Sequence, residues 1–337
     1  MARSRNFPAS RKRRIAAAAA LAIMLAPGTF LRTAIPVQRT NALYAASVED
    51  LPDLVGANGF TREGVWHLTS PNIDFGGFSA LLVLEGAGRL RSFSDRGSSM
   101  TFVPPDDARD SDVRFGNVWN RGRLSKDVPD IEAATRDPAT GDYWVAFENG
   151  NSVIRYSRSS AFLALREPPE WSDWAANSGA EAMERLPDGR FLVLPESSRQ
   201  GLLHPGDPTL DTEAMRFSVA LPGDFAPTDL SALPDGRVLV LLRRVAVGWP
   251  PFTAALGIAD PRSLDEGGVL DVDLVLELAS LVPRENYEGL AVEQRPDGAY
   301  TVWLIADDNL ASFQRTLLVK LGWDGAAPSA HEKAREE

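Results

Sequence analysis

Apolar positions along this chain come in short runs separated by turn-forming residues, and residues 286–314 (NYEGLAVEQRPDGAYTVWLIADDNLASFQ) show the unit most plainly. Two apolar runs flank Pro296-Asp297-Gly298. In that turn Pro presets φ, Asp bonds its own backbone, and Gly accepts a positive φ. The arms are nearly equal, eight residues from Glu288 to Pro296 and nine from Gly298 to Asp307. An antiparallel hairpin of equal arms brings its far ends together. Glu288 is therefore expected beside Asp307 and Asp308 at one sheet edge, opposite the turn.

The same unit recurs four times upstream. One hairpin runs from Gly76 through the turn at Gly86-Ala87-Gly88 to Asp95-Arg96-Gly97, and a second from Asp130 through Pro138-Ala139-Thr140-Gly141 to Glu148. A third runs from Gly179 through Pro187-Asp188-Gly189 to Glu196, and a fourth from Pro227 through Pro234-Asp235-Gly236 to Arg243-Arg244. The matched positions Ser79, Glu132, Glu181, Asp229 and Glu288 lie 53, 49, 48 and 59 residues apart. A strand-turn-strand core with a period near ~50 marks a β-propeller blade. Two further strands fit between successive hairpins: residues 151–158 and 161–166, then 201–204 and 214–221, then 254–259 and 272–278. The last unit has a third strand at 315–323 and no fourth, and residues 63–69 (EGVWHLT) are placed to supply it and close the ring. The pattern predicts an all-β chain, a single propeller of five four-stranded blades over residues 50–325. A six-bladed ring is the competitor, because residues 100–123 can be divided differently. An open solenoid lacks the capping segment it needs.

Composition agrees with many short strands: 27 Gly and 24 Pro in 337 residues. The N-terminus stands apart. Arg11-Lys12-Arg13-Arg14 precedes an apolar run, residues 15–26, that stops at Pro27-Gly28. That order reads as a secretory signal peptide of the Sec type, with an uncleaved anchor and a twin-arginine signal as the alternatives weighed. Residues 1–46 are expected to be signal and linker, and 326–337 a polar tail. Eight of the 35 Lys and Arg fall in residues 1–46, where there is no Asp or Glu. The remainder holds 27 basic against 46 acidic residues, a formal charge of −19. Such a surface disfavours nucleic acid and anionic membranes and favours metal ions or cationic groups. The mature chain is expected to be a periplasmic or secreted monomer without a membrane span. With no cysteine there is no disulfide, thiolate ligand or cysteine nucleophile.

In a propeller the first strand of each blade lines the channel, and its start lies beside the end of the second strand. That mapping gives a ring: Ser79 with Asp95, Glu132 with Glu148, Glu181 with Glu196, Asp229 with Arg243, and Glu288 with Asp307 and Asp308. Carboxylates so crowded raise one another's pKa values unless a cation, an Arg or shared protons relieve them. Oxygen ligands without Cys and almost without His point to Ca²⁺, ahead of Mg²⁺, and away from zinc. The metal-ligand candidates are Glu132, Glu181, Asp229, Glu288 and Asp307, and the catalytic candidates Glu132, Glu181, Glu288 and Asp308. Arg96, Arg243, Asn309 and Gln314 are the candidates for holding an anionic ester substrate. The plainer alternative is that these acids accept backbone N–H bonds and tie blades together. His67, His204 and His331 avoid the blade starts, there is no G-x-S-x-G elbow, and no glycine-rich phosphate loop or organic-cofactor motif is present. Most of the eight Trp are expected in packing, with Trp171 and Trp174 placed to line the channel mouth.

Residues 177–182 (NSGAEA) and 286–291 (NYEGLA), the Leu-Pro-Asp-Gly-Arg of 233–237, Asp307-Asp308-Asn309, and residues 314–318 (QRTLL) together carry a resemblance. Over roughly residues 76–321 the chain resembles the phytase-like domain family, also described as "esterase-like activity of phytase". The resemblance implies an exported bacterial β-propeller with a phosphoester or ester hydrolase role. A non-catalytic ligand- or partner-binding propeller and a sugar-lactone hydrolase are the alternatives. The chain departs from the family pattern at Ala133 and Ala182, which stand where the family often has Gly after the blade-start Glu.

Overall fold

The computed structural model describes residues 36–49, 51, 58–84, 86, 88–106, 112–118, 130–148, 150–174, 179–196 and 198–326. The expected signal segment before residue 36 and the tail after 326 lie outside the described residues. Two strands, β1 (Tyr44–Ser47) and β2 (Phe60–Thr69), precede the repeats. The first repeat forms β3 (Phe78–Leu84), β4 (Arg89–Ser94), β5 (Ser98–Phe102) and β6 (Arg114–Asn117). The second forms β7 (Ile131–Arg136), β8 (Tyr143–Phe147), β9 (Ser152–Tyr156) and β10 (Phe162–Arg166). The third forms β11 (Ala180–Arg185), β12 (Phe191–Pro195), β13 (Gln200–His204) and β14 (Met215–Ala220). The fourth forms β15 (Ala226–Ala232), β16 (Val238–Val245) and β17 (Phe252–Ala259), then β18 (Val269–Asp271) and β19 (Asp273–Glu277). The fifth forms β20 (Asn286–Gln294), β21 (Tyr300–Asp307) and β22 (Leu317–Trp323).

Each repeat is an antiparallel sheet in up-and-down order. The inner strands β3, β7, β11, β15 and β20 each pack against the next, and β20 packs against β3. The fold is therefore an all-β, five-bladed propeller around a central channel, not a six-bladed one. The described residues between 98 and 118 form only the two outer strands of the first blade. In the last blade the position beyond β22 is taken by β2, with Phe60 opposite Trp323 and His67 opposite Leu317. β1, inside the stretch expected to be linker, adds a fifth strand on β2. One pairing escapes the repeat: β18 leaves the fourth blade and runs parallel to β14 at the edge of the third.

Strands β12 and β21 are buried along their whole length, because a second strand in a propeller packs against a neighbouring blade on each face. That is why they read as unbroken apolar runs. The outer strand β14 instead alternates between buried Phe217 and Val219 and exposed Ser218 and Ala220. Leu192 and Leu194 of β12 share one apolar cluster with Val240 and Leu242 of β16. Truncating any such leucine to Ala costs about 2–5 kcal/mol. The Pro-Asp-Gly turns behave as their chemistry dictates. Asp188, Asp235 and Asp297 each accept the amide two residues on, at 3.0, 3.0 and 3.1 Å. Gly189, Gly236 and Gly298 have φ of 91°, 91° and 90°, which side chains resist.

Two devices organise the channel. The first is a β-bulge at the start of every inner strand. The pairing skips one residue between Phe78 and Ala80, Ile131 and Ala133, Ala180 and Ala182, Pro227 and Asp229, and Tyr287 and Gly289. A bulge leaves one extra residue unpaired and re-aims its side chain. The bulged residues are Ser79, Glu132, Glu181, Thr228 and Glu288. The second device is a stitch between neighbouring inner strands. Thr135 Oγ1 accepts the Arg185 amide at 2.9 Å, Glu184 accepts the Ala232 amide at 2.9 Å, and Ser231 Oγ accepts the Val292 amide at 3.1 Å. Asp229 accepts the amides of Leu230 and Leu290 at 2.8 and 2.7 Å.

Candidate functional site

The bulges deliver glutamates to one end of the channel. Glu181 and Glu288, from two other blades, lie close enough to Glu132 to raise its proton affinity, and Glu288 raises that of Glu181 as well. Each arrives with a partner from the end of a second strand: Glu148 after β8, Glu196 after β12, and Asp307 closing β21. Asp95, after β4, and Asp130, just before β7, complete the group. Among the described residues eight carboxyls thus gather at this end, with one guanidinium, that of Arg243, hydrogen-bonded among them.

Arg243, buried for most of its length, is the hub. It donates to Asn286 Oδ1 and Glu196 Oε1, both at 2.9 Å, bonds closely to Glu288 Oε1, and lies 3.9 Å from Glu181 Oε1. Burial works against its charge, but the glutamates outweigh that and hold the guanidinium protonated. Asn286 adds a second donor to Glu288 Oε1 at 2.8 Å. The Asn-x-Glu start of β20 is therefore a working pair, in which the amide two residues before the bulge grips the bulged carboxylate.

Burial pushes the Glu132 carboxyl well above the ordinary range, and Glu181, Glu288, Asp130 and Glu148 push it further. Glu181 is also well raised, by burial first and then by Glu196 and Glu288, with Arg243 opposing. Asp307 follows the same pattern, raised by burial and by Glu288. Asp130, Glu132 and Glu148 place one oxygen each within 4.8 Å of one another. Three half-buried carboxyls at that spacing, each with its proton affinity raised by lack of solvent or by its neighbours, form a donor set suited to a hard divalent cation. This acidic group could hold a metal.

The remaining expected residues fall elsewhere. In the fourth blade the bulged residue is Thr228, so Asp229 sits one place further along and faces the other way. A one-residue offset reverses a strand residue's face, and Asp229 is spent on the two amides described above. Asp308 accepts the amides of Gly77 and Leu310 at 3.1 and 3.0 Å and the Thr316 hydroxyl at 3.1 Å, tying the fifth blade to the first. Arg96 gives its terminal nitrogens to the carbonyls of Ile73 and Phe75, at 3.0 and 2.6 Å. Asn309 is exposed in a left-handed turn, with its amide on Asp307 Oδ1 at 2.8 Å. Gln314 is buried, and its side-chain nitrogen has no partner among the described residues. Trp171 and Trp174, expected at the mouth, are buried in the core shared by the second and third blades. Trp171 Nε1 donates to His204 Nε2 at 3.0 Å.

Sequence reasoning passed over Asp130 and Asn286 as site residues. The signal was present, since each stands two positions before a bulged glutamate. Gly289, unlike Ala133 and Ala182, keeps the glycine, and a Cβ there would lie 2.6 Å from Ile305 Cγ2 of its own blade and 3.1 Å from the Ala80 backbone carbon of the first.

The other end of the channel is open as well. A cavity of about 580 Å³ lies at the other end of the channel, among Gly86, Pro138, Pro187 and Pro234 of the hairpin turns. Half-buried Glu184 lines it and takes the Thr135 hydroxyl at 2.6 Å as well as the Ala232 amide. Burial raises Glu184 to about 7.

No curated protein matches the chain. Among solved structures it is similar to the Neurospora crassa Pan2 WD40 domain, at 10% identity over 82% of this chain and 99% of that one, with a TM-score of 0.37. It is similar also to U3-55K, at 6% identity over 72% and 95% of the two chains, with a TM-score of 0.41. The family model described as "Phytase-like: Esterase-like activity of phytase" matches residues 73–310, more than half of the chain and all five inner strands. The chain belongs to this phytase-like family.

Proposed function

We propose that the acid end of the channel hydrolyses esters, phosphate or carboxylic, in an exported protein. The observation that carries the reading is the convergence of eight carboxyls and Arg243 at the bulged strand starts, within the span that matches the phytase-like family. Asp130, Glu132 and Glu148 would hold a divalent cation, Ca²⁺ by their all-oxygen character, and Mg²⁺ less well. Such an ion, when bound, supplies charge neutralisation and polarises an ester oxygen.

The other groups act through proton affinity and position. Glu181 favours its protonated form, which suits a carboxyl that hands a proton to a leaving oxygen and later removes one from water. Arg243 and Asn286 fix Glu288 from two directions, so that carboxylate is oriented before any substrate arrives. Burial of the ring strengthens each of these interactions relative to water. Asp307 keeps the fifth-blade side of the mouth negative or protonated according to pH.

A second reading, a ring that binds without catalysis, draws support from Arg243, which already neutralises its glutamates as a purely structural hub would. One assay separates the two. Purified protein is offered phenyl phosphate, 4-nitrophenyl acetate, a sugar lactone and inositol hexakisphosphate, with Ca²⁺ and after chelation. The hydrolase reading expects turnover of at least one ester that falls at least tenfold on chelation and in Glu181→Gln. Absence of turnover on all substrates sinks it. Export is proposed from the Arg11–Arg14 and apolar N-terminal pattern, and cell fractionation tests it. No helix among the described residues is long and apolar enough to cross a membrane.

A further inference from the structure

Eight large apolar side chains are exposed among the described residues, and three of them fall within five positions. Val245, Val247 and Trp249 are 74%, 102% and 65% exposed, whereas Val37, Tyr44, Leu163, Leu210 and Val269 stand singly. Scattered apolar residues need no explanation, but a contiguous patch marks a binding surface. This one lies on the hairpin between β16 and β17, which begins two residues after Arg243.

The Trp249 ring lies against Phe313, with centroids 4.6 Å apart and planes at 40°. Phe313 belongs to the loop that leaves Asp307 at the end of β21. At the hairpin's other foot Phe252 stands opposite Val245, and its ring centre is 5.8 Å from the Arg243 guanidinium carbon. An apolar wall thus spans two loops, one that follows Arg243 in the chain and one that follows Asp307. The wall is braced from behind. Arg284 donates to the carbonyls of Val247 and Phe252, at 3.0 and 3.1 Å. Gly248 admits that brace, since a Cβ there would lie 2.2 Å from Arg284 Nη1. The hairpin is thus held in its exposed conformation by this chain's own contacts.

The charges around the wall restrict what it serves. Arg244 pairs with Asp224, and Arg315 with Glu285, while the mouth itself gathers carboxyls. A polyanion would meet an acidic ring beside an uncharged wall. An ester with one charged or polar head and an apolar body meets the carboxyls and Arg243 with its head and the wall with its body. We propose that Val245, Val247, Trp249 and Phe313 form the subsite for the apolar, aromatic portion of the ester substrate. This rests on the ester-hydrolase reading of the acid end.

The test measures binding without turnover. Calorimetric affinities of methylphosphonate and phenylphosphonate, in Ca²⁺, are compared for the native protein, Trp249→Ala and Phe313→Ala, with melting midpoints as the folding control. Trp249 is exposed, so its truncation should leave the midpoint in place. The native protein is expected to prefer phenylphosphonate about tenfold. In both variants the preference should fall to about twofold or less, with methylphosphonate affinity unchanged. An equal preference in native and variant protein overturns the subsite, as does no binding of either phosphonate. So does a native dimer in sedimentation that Trp249→Ala dissociates, because a second copy then covers the wall. Trp249-dependent binding without turnover of any ester keeps the subsite and removes the hydrolase. Turnover indifferent to Trp249 does the reverse.

Discussion

At the end of the channel where the inner strands begin, eight carboxyls surround one hydrogen-bonded guanidinium. At the end where the hairpins turn, Glu184 shares its oxygens between a hydroxyl and an amide, beside a cavity of about 580 Å³. Both ends are built by the same strands. What differs is the bulge. In the inner strands it occurs only at their starts, where it frees one side chain per blade from the pleat. At the other end the strands keep their pleat, and polar side chains there satisfy backbone amides of the next blade.

The largest expected effect breaks the acid end. Arg243→Met leaves Glu181, Glu196 and Glu288 facing one another without their shared cation. Removing one partner of a buried ionic group costs about 3–5 kcal/mol, read by denaturant unfolding at pH 8. The loss should be smaller at pH 5, since Glu181 and Glu288, both raised by burial, take up protons more readily as the pH falls, and it should shrink with added Ca²⁺. An equal loss at both pH values would show that the ring is not electrostatically strained.

The next effect contrasts a carboxyl that faces the site with one that does not. Asp229→Ala leaves the Leu230 and Leu290 amides without an acceptor. Each unpaired buried amide costs about 1–3 kcal/mol, yet cation binding should be unchanged. Lost cation binding with intact stability would restore Asp229 to the site.

That contrast shows how far the sequence could be read. The blade repeat, the Pro-Asp-Gly turns and the meeting of Glu288 with Asp307 follow from arm lengths and period, whereas five blades rather than six is decided by the described residues between 98 and 118 supplying only outer strands. The offset in the fourth blade does not follow from them. Thr228 and Asp229 are adjacent, the spacing accommodates either, and only the pairing with β16 decides which is bulged. Asp308 and Arg96 were legible as polar groups near the mouth, but their commitment to Gly77, Ile73 and Phe75 is a long-range matter of backbone placement. The parallel pairing of β18 with β14 lies in the spatial arrangement of two blades, to which a repeat pattern is blind.

A smaller effect probes the turn end. Glu184 is raised from 4.5 to about 7 by burial, so the folded state binds its proton more tightly than the unfolded chain does. Its contribution is full below about 4.5 and is lost as pH rises through about 7. Glu184→Gln should flatten stability over that window and raise it at pH 8 by on the order of 1–2 kcal/mol. An unchanged pH profile would mean that Glu184 is solvated through the cavity. The smallest effect concerns blade spacing. Gly289→Ala should cost about 1–3 kcal/mol by overpacking against Ile305 and the Ala80 backbone, and calorimetric melting checks it.

The most direct test of the difference between the two ends is a Ca²⁺ titration of metal-free protein by calorimetry, followed by melting with and without the ion. A cation that binds only the folded form must raise the melting midpoint. The account predicts a site that stabilises the native protein and Glu184→Gln alike and is lost in the Glu132→Gln/Glu148→Gln double variant. Binding that survives in the double variant, or that disappears in Glu184→Gln, would contradict it.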